Sequence, residues 1–331
     1  MTPIHARPIS PSRPRTRTLL LTLDAFGTLF YPRPSVPEQY AATAHEFGLS
    51  RTAVTPSKLK AAFKDVFRAQ ANRYPNYGRA DVLRGKYGGP RQWWEEVIRG
   101  SFARVLDPGP AQGSKEELNL PSGMVDALLD RFAGEGGYTL YDDVAPFFAR
   151  MREIRSASTR FDRVVLGVIS NSDDRVPAVL KALGVRVGDM RADQDLSSMQ
   201  LPGFEQRKAQ STGVSSEDRS NIDLDLVVTS YEAGEEKPNR LIFDVAKRQA
   251  MLIANNDAQP GDVLTGEGEM DDWVCVHVGD DYEKDYRAAI DAGWQSYLLP
   301  RGNGEQHPAK TIHSLVDLID ELKIGSKEPV G

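Results

Sequence analysis

At 331 residues the chain has room for one large domain, or for a domain that carries a sizeable insertion. Its formal net charge of -6 lacks the basic surplus of a nucleic-acid binder, and no apolar run approaches the roughly 20 residues that span a bilayer. The single cysteine, Cys275, precludes an internal disulfide and suits a reducing, intracellular compartment.

In chain order, residues 1–18 read as a disordered basic tail. No acid precedes Asp24, and Arg7, Arg13, Arg15 and Arg17 sit among Ser and Thr, as in a mitochondrial transit peptide. Pro3, Pro8, Pro11 and Pro14 would break the helix that such a peptide needs. The expected location is therefore cytoplasmic, with the nucleus and the mitochondrion as alternatives. Next, LLLTL (residues 19–23) is predicted to be a buried strand, and it runs directly into Asp24. That placement needs a reason, because a lone ionised carboxylate is costly to desolvate.

From 32 to 141 the pattern is helical with no strand-like run, and it reads as an α-helical domain inserted after the first strand. Beyond it, VVLGVI (164–169), LVVT (226–229) and VCVHV (274–278) are predicted to be strands covered on both faces. Helical patterns at 173–184, 240–251, 283–293 and 311–323 lie between and after them. Strand alternating with helix predicts a doubly wound parallel α/β sheet made from residues 19–31 and 142–325. Two polar stretches, about 187–221 and 255–270, read as unstructured inserts in that core.

In open α/β sheets, ligands bind outside the carboxyl ends of the strands. Asp24, Ser170 with Asn171, Lys237 and Asp280 all fall at or just beyond such ends. Their complementary chemistry points to one convergent site. Taken together, LDAFGTL (23–29), VISNS (168–172), TSYEAGEEKPNRLIF (229–243) and HVGDDYEKDYRAAIDAG (277–293) resemble, in order and spacing, the four motifs of the haloacid dehalogenase (HAD) superfamily. YPNYG (74–78) and RQWWEEVIRGSF (91–102) resemble the cap of its branch called haloacid dehalogenase-like hydrolase domain-containing protein 3.

The resemblance implies a Rossmann-like core with an inserted helical cap, and Asp24 as the nucleophile. A carboxylate can attack phosphorus or an alkyl carbon to form an aspartyl intermediate that water clears. Mg²⁺ is the implied cofactor, since it takes one or two carboxylates plus phosphate oxygens. Its implied ligands are Asp24, the backbone carbonyl of Phe26, and Asp280. Asp285 would reach the metal through water or orient Lys237, with Asp281 able to share that work. Both acids also read as first-turn residues favouring the helix dipole. Ser170, the backbone around Asn171, and Lys237 would hold the phosphate, the first two before a helix N-terminus, where Ser170 is equally an ordinary cap. His277 reads as a hydrogen-bonded core group and Cys275 as packing. Trp93 and Trp94 read as cap-core aromatics, one of which could roof the site.

Phe26 departs from the family pattern. Superfamily phosphatases carry a second Asp at this position as general acid and base, whereas an aromatic there resembles the 2-haloacid dehalogenases. Those enzymes work without a metal, while GDDYEKD (279–285) keeps an acidic cluster that would repel itself without a cation. The favoured reading is a Mg²⁺-dependent phosphatase-type hydrolase, weak or narrow in activity. The alternatives are a non-catalytic phosphate-sensing or partner-binding protein and a 2-haloacid dehalogenase. The expected partner is a phosphorylated small molecule, with no nucleic acid or membrane, and the chain is expected to be a monomer.

Overall fold

The computed structural model describes residues 17–106, 119–156, 160–191, 201–203, 221–256, 272–302 and 306–324. Six strands form one parallel sheet: β1 (Arg17–Leu23), β4 (Arg163–Ser170), β5 (Val187–Arg191), β6 (Leu224–Thr229), β7 (Asp272–Gly279) and β8 (Gln295–Leu298). Their order is β5-β6-β4-β1-β7-β8. β1 lies at the centre of the sheet between β4 and β7, and helices cover both of its faces, which explains its apolar run.

Because side chains alternate across a strand, that run divides between two cores. Leu19, Leu21 and Leu23 pack with Phe147 and Met151 of α6 (Val144–Arg155), Leu180 of α7 (Val176–Ala182) and Leu318 of α11 (Asp317–Glu321). Leu20 packs on the other face with Phe243 and Ala246 of α9 (Leu241–Asn256) and Ala288 of α10 (Ala288–Asp291). Helices on both faces of a parallel sheet make this a doubly wound, Rossmann-like α/β fold.

Between β1 and α6 lies a helical layer. It comprises α1 (Val36–Glu46), α2 (Pro56–Arg73), the kinked α3 (Pro75–Leu83), α4 (Pro90–Leu106) and α5 (Met124–Arg131). It has a core of its own around Tyr40, Leu59, Ile98, Phe102 and Leu128. Its chain enters through β2 (Phe30–Pro32) and leaves through β3 (Tyr138–Leu140), which pair antiparallel. Hydrogen bonds tie the layer to the sheet domain: Asn76 to the Ser230 carbonyl at 2.9 Å, Arg79 to the Tyr231 carbonyl at 2.7 Å, and the Trp94 indole to Asp173 at 2.7 Å. Ser230 and Tyr231 belong to the one-turn helix α8 (Ser230–Ala233).

Several sequence expectations are corrected. The stretch 32–141 is not free of strand, since β3 lies in it and β2 ends at Pro32; three-residue strands leave no periodic signal. β5 falls inside the expected unstructured segment 187–221. It is an edge strand with no buried residue, so its sequence VGDMR lacks an apolar run. β8 (QSYL) carried too short a pattern to be expected. The last helix is confined to α11 within the expected 311–323. The expected tail 1–18 overlaps β1 at Arg17 and Thr18, and its first 16 residues lie outside the described ones, as do 192–200, 204–220 and 257–271.

Candidate active site

The turn after β1 builds the first wall of the site. The Asp24 N–H donates to the Val278 carbonyl at 2.8 Å, which pins the strand end to β7. The chain then folds back, with Ala25 O accepting from Leu29 N at 2.9 Å and Phe30 N at 3.2 Å. Gly27 has φ +79°, and a Cβ there would lie 2.5 Å from an Asp280 carboxylate oxygen, so both backbone and space demand glycine. Thr28 Oγ1 donates to Asp280 at 3.2 Å, and Arg301 donates to the Thr28 carbonyl at 2.6 Å while pairing with Asp143 at 2.9 Å. The first turn and the end of β7 are thereby locked together.

Lys237 is the buried cation of the site. Its Nζ donates to Asp24 at 2.7 Å, to Asp285 at 2.6 Å and to the Ile169 carbonyl at 2.8 Å, which uses all three donors. Its backbone is clasped by the Asn171 side chain. Asn171 Nδ2 donates to the Lys237 carbonyl at 2.8 Å, and the Lys237 N–H donates to Asn171 Oδ1 at 2.6 Å. On the far side, His277 Nε2 lies 3.3 Å from Asp285 Oδ1 and Nδ1 lies 2.9 Å from Thr22 Oγ1. Burial keeps this imidazole neutral. An ionised Asp285 assigns the proton to Nε2, leaving Nδ1 to accept from Thr22.

Oxygens of Asp24, Asp280 and Asp285 all lie within 4.8 Å of one another, with one ammonium set among three carboxylates. Burial pushes the Asp24 carboxyl up to about 7, with further pressure from Asp285 and Asp280 and an opposing pull from Lys237. Asp280 is likewise raised, first by desolvation and then by Asp285. Burial also works against Asp285, yet Lys237 and His277 hold its carboxyl well below the usual range. Lys237 resists the same desolvation through Asp24 and Asp285 and stays firmly protonated. Such a cluster of hard oxygen donors with surplus negative charge fits a small divalent cation.

Asp24, Lys237, Asp280 and Asp285 are thus brought together. Ser170 is buried at the end of β4, paired with Thr229, and its carbonyl accepts from Ser172 N at 2.9 Å. The expected helix N-terminus is not next to it, because α7 begins only at Val176 and the acids Asp173 and Asp174 sit in the intervening loop. Asp281 accepts from Glu283 N at 3.0 Å and Lys284 N at 2.9 Å, capping the wide π-helical turn Tyr282–Arg287. Trp93 donates to the Tyr74 carbonyl at 3.0 Å within the helical layer, whereas Trp94 reaches the sheet domain. Cys275 packs under α9, its thiol raised to about 11 by burial. Phe26 is 36% exposed and packs edge-on against Phe30 and Tyr138, at 4.6 and 5.5 Å between ring centres. Sequence reasoning missed Thr28, the side-chain role of Asn171, and the pair Asp173–Arg175. Thr28 and Asn171 act through contacts across the fold that no local spacing encodes, and the local pair Asp173–Arg175 gains its place only when Trp94 of the helical layer reaches it.

A family model described as HAD-hydrolase-like matches residues 235–323, the stretch that carries Lys237, Asp280 and Asp285. Over that stretch the chain is similar to haloacid dehalogenase-like hydrolases. Similar full-length relatives include an uncharacterized protein of Saccharomyces cerevisiae, 27% identical over 327 residues, with 94% of this chain and 84% of that one covered. A putative uncharacterized hydrolase of Schizosaccharomyces pombe is 26% identical over 286 residues, covering 86% of this HAD-like chain and 92% of the yeast protein. The human haloacid dehalogenase-like hydrolase domain-containing protein 3 is 27% identical over 285 residues, covering 86% and 83%. Among the described residues of the HAD-like chain, no helix is long and apolar enough to cross a membrane.

Proposed function

We propose that this HAD-like chain is a Mg²⁺-dependent phosphatase-type hydrolase acting on a phosphorylated small molecule, with activity limited by Phe26. The observation that carries this reading is the meeting of Asp24, Asp280 and Asp285 around Lys237 at the strand ends. Without a cation this arrangement drives Asp24 toward protonation, which a nucleophile must avoid. Asp24, Asp280 and the Phe26 carbonyl would hold Mg²⁺, with Asp285 acting through water. When bound, the ion would neutralise phosphate oxygens and restore the charge of Asp24.

Asp24 attacks phosphorus, the leaving oxygen departs with the bonding electrons, and an aspartyl phosphate forms. Water then attacks the phosphorus and releases phosphate and Asp24. Lys237 offsets the charge that builds between Asp24 and the phosphoryl group, and Asn171 keeps it in place by clasping its backbone. Ser170 and the backbone at Asn171 line the phosphoryl side. Phe26 moves no proton, so the general-acid contribution of about 10²–10⁴-fold is missing.

One observation favours a second reading. The partly exposed Phe26 ring holds the position that the family resemblance gives to the proton donor, and a halide leaves without one. Rates with p-nitrophenyl phosphate and with 2-chloropropionate, each with and without Mg²⁺, separate the two. Mg²⁺-dependent phosphate release supports the phosphatase, metal-independent chloride release the dehalogenase. Neither product would leave a non-catalytic binding protein as the reading.

A further inference from the structure

The helical layer holds a small, partly open cavity of about 50 Å³, whose one wall from the sheet domain is Arg175. Its walls include Val36, Tyr40, Phe63, Trp94, Tyr138 and Arg175. Aromatic and aliphatic side chains share its walls, and the one charged wall is already answered. Arg175 Nε and Nη2 donate to Asp173 at 2.9 and 2.8 Å, and the guanidinium lies 4.8 Å over the Trp94 ring. Asp173 also accepts the Trp94 indole N–H, so the Arg–Asp pair presents no net charge. A second phosphate or a carboxylate finds no uncompensated cation in this pair, and a polyol would exchange water for apolar walls.

Tyr138 joins this cavity to the reacting carboxylate. Its ring packs on Phe26, two residues from Asp24, and on Phe30 and Phe132, with ring centres 5.5, 5.2 and 5.8 Å apart. Phe26 adds an independent constraint. With no donor there, the leaving oxygen must depart as an anion. A phenol, with a pKa of about 10, does so far more readily than an alkyl alcohol, whose hydroxyl is nearer that of water at about 15.7. An apolar pocket with few polar groups suits such a ring.

We propose that the substrate class is an aryl phosphate with an uncharged ring, seated among Tyr40, Phe63, Trp94 and Tyr138. This rests on the reading of Asp24 as the phosphoryl-accepting nucleophile. The Asp24–phosphorus bond forms as the phosphorus–aryl oxygen bond breaks, its electron pair leaving on the phenoxide, which solvent protonates. Water then displaces Asp24 from phosphorus and gives up its proton to the phosphate or solvent.

The test measures kcat/KM with Mg²⁺ for phenyl phosphate, glycerol 3-phosphate, 1-naphthyl phosphate and acetyl phosphate. The last has a good leaving group and no ring, so it reports on the Asp24 chemistry alone. Phenyl phosphate should exceed glycerol 3-phosphate by at least about a hundredfold. Val36→Phe, which narrows the cavity from a partly exposed wall, should lower the phenyl-to-acetyl ratio about tenfold. Phe63→Ala should raise the naphthyl-to-phenyl ratio about fivefold, and it carries the test if Val36→Phe does not fold. Equal turnover of glycerol and phenyl phosphates, or ratios unmoved in the folded variants, would overturn the cavity assignment while leaving the phosphatase reading intact. No hydrolysis of acetyl phosphate would overturn both.

Discussion

Phe26 and Asp173 are the two residues at which the chemistry of this molecule can be most directly altered. If a proton donor is what Phe26 lacks, Phe26→Asp should accelerate alkyl phosphate hydrolysis by about tenfold or more, part or all of the 10²–10⁴-fold that general acid catalysis supplies. Aryl phosphates should gain less. Initial rates on glycerol 3-phosphate and phenyl phosphate check this, and a folded, Mg²⁺-binding variant inert to both would contradict it. Asp173 is buried against Arg175 and Trp94. Despite the opposing effect of desolvation, Arg175 lowers its carboxyl below the ordinary 3.8. A depressed carboxyl contributes stability that is present above its unfolded value and lost as pH falls through the folded one. Asp173→Asn should therefore cost about 3–5 kcal/mol at neutral pH, as for a broken buried pair, and flatten the stability loss below pH 3.8. Denaturant unfolding at several pH values reads both effects. Asp24, Lys237 and Asp280 were legible because each follows an apolar run or sits in a patterned loop. Thr28 and the side-chain role of Asn171 were not, because their bonds to Asp280 and to the Lys237 backbone exist only once separate strand ends meet.

At the scale of elements, the turn between β1 and β2 determines how the first wall meets the end of β7. Gly27 faces two demands, a φ of +79° and a gap too small for a Cβ beside Asp280. Gly27→Ala should destabilise by more than about 1 kcal/mol and weaken Mg²⁺ binding by displacing Asp280. Thermal melts with and without Mg²⁺ measure both, and an unchanged Mg²⁺ response would show that the turn does not set the position of Asp280. β1, β4, β6 and β7 were readable as strands because burial on both faces makes them continuously apolar. β5 was hidden because none of its residues is buried at the sheet edge, and β2 and β3 because three residues cannot show a period.

Across the whole molecule, the doubly wound order was legible from strand alternating with helix. The cavity in the helical layer was not, since Tyr40, Phe63, Trp94 and Tyr138 come from four separate elements. On the proposed reading, a cation bound among the carboxylates at the strand ends would stabilise the fold as well as serve the chemistry. Mg²⁺ should raise the melting temperature, with about 2.7 kcal/mol gained at a hundred times its Kd, and Asp280→Asn should remove most of the shift. A melting curve that does not move across millimolar Mg²⁺ would count against the metal site. The claim on which the functional account depends is that the Asp24 carboxylate itself attacks phosphorus. Its most direct test is the Mg²⁺-dependent rate of phosphate release from p-nitrophenyl phosphate by Asp24→Asn beside the unaltered protein, both shown to be folded. The expected result is steady release by the unaltered protein and none above background by Asp24→Asn. Release that survives the substitution at a comparable rate would contradict the claim.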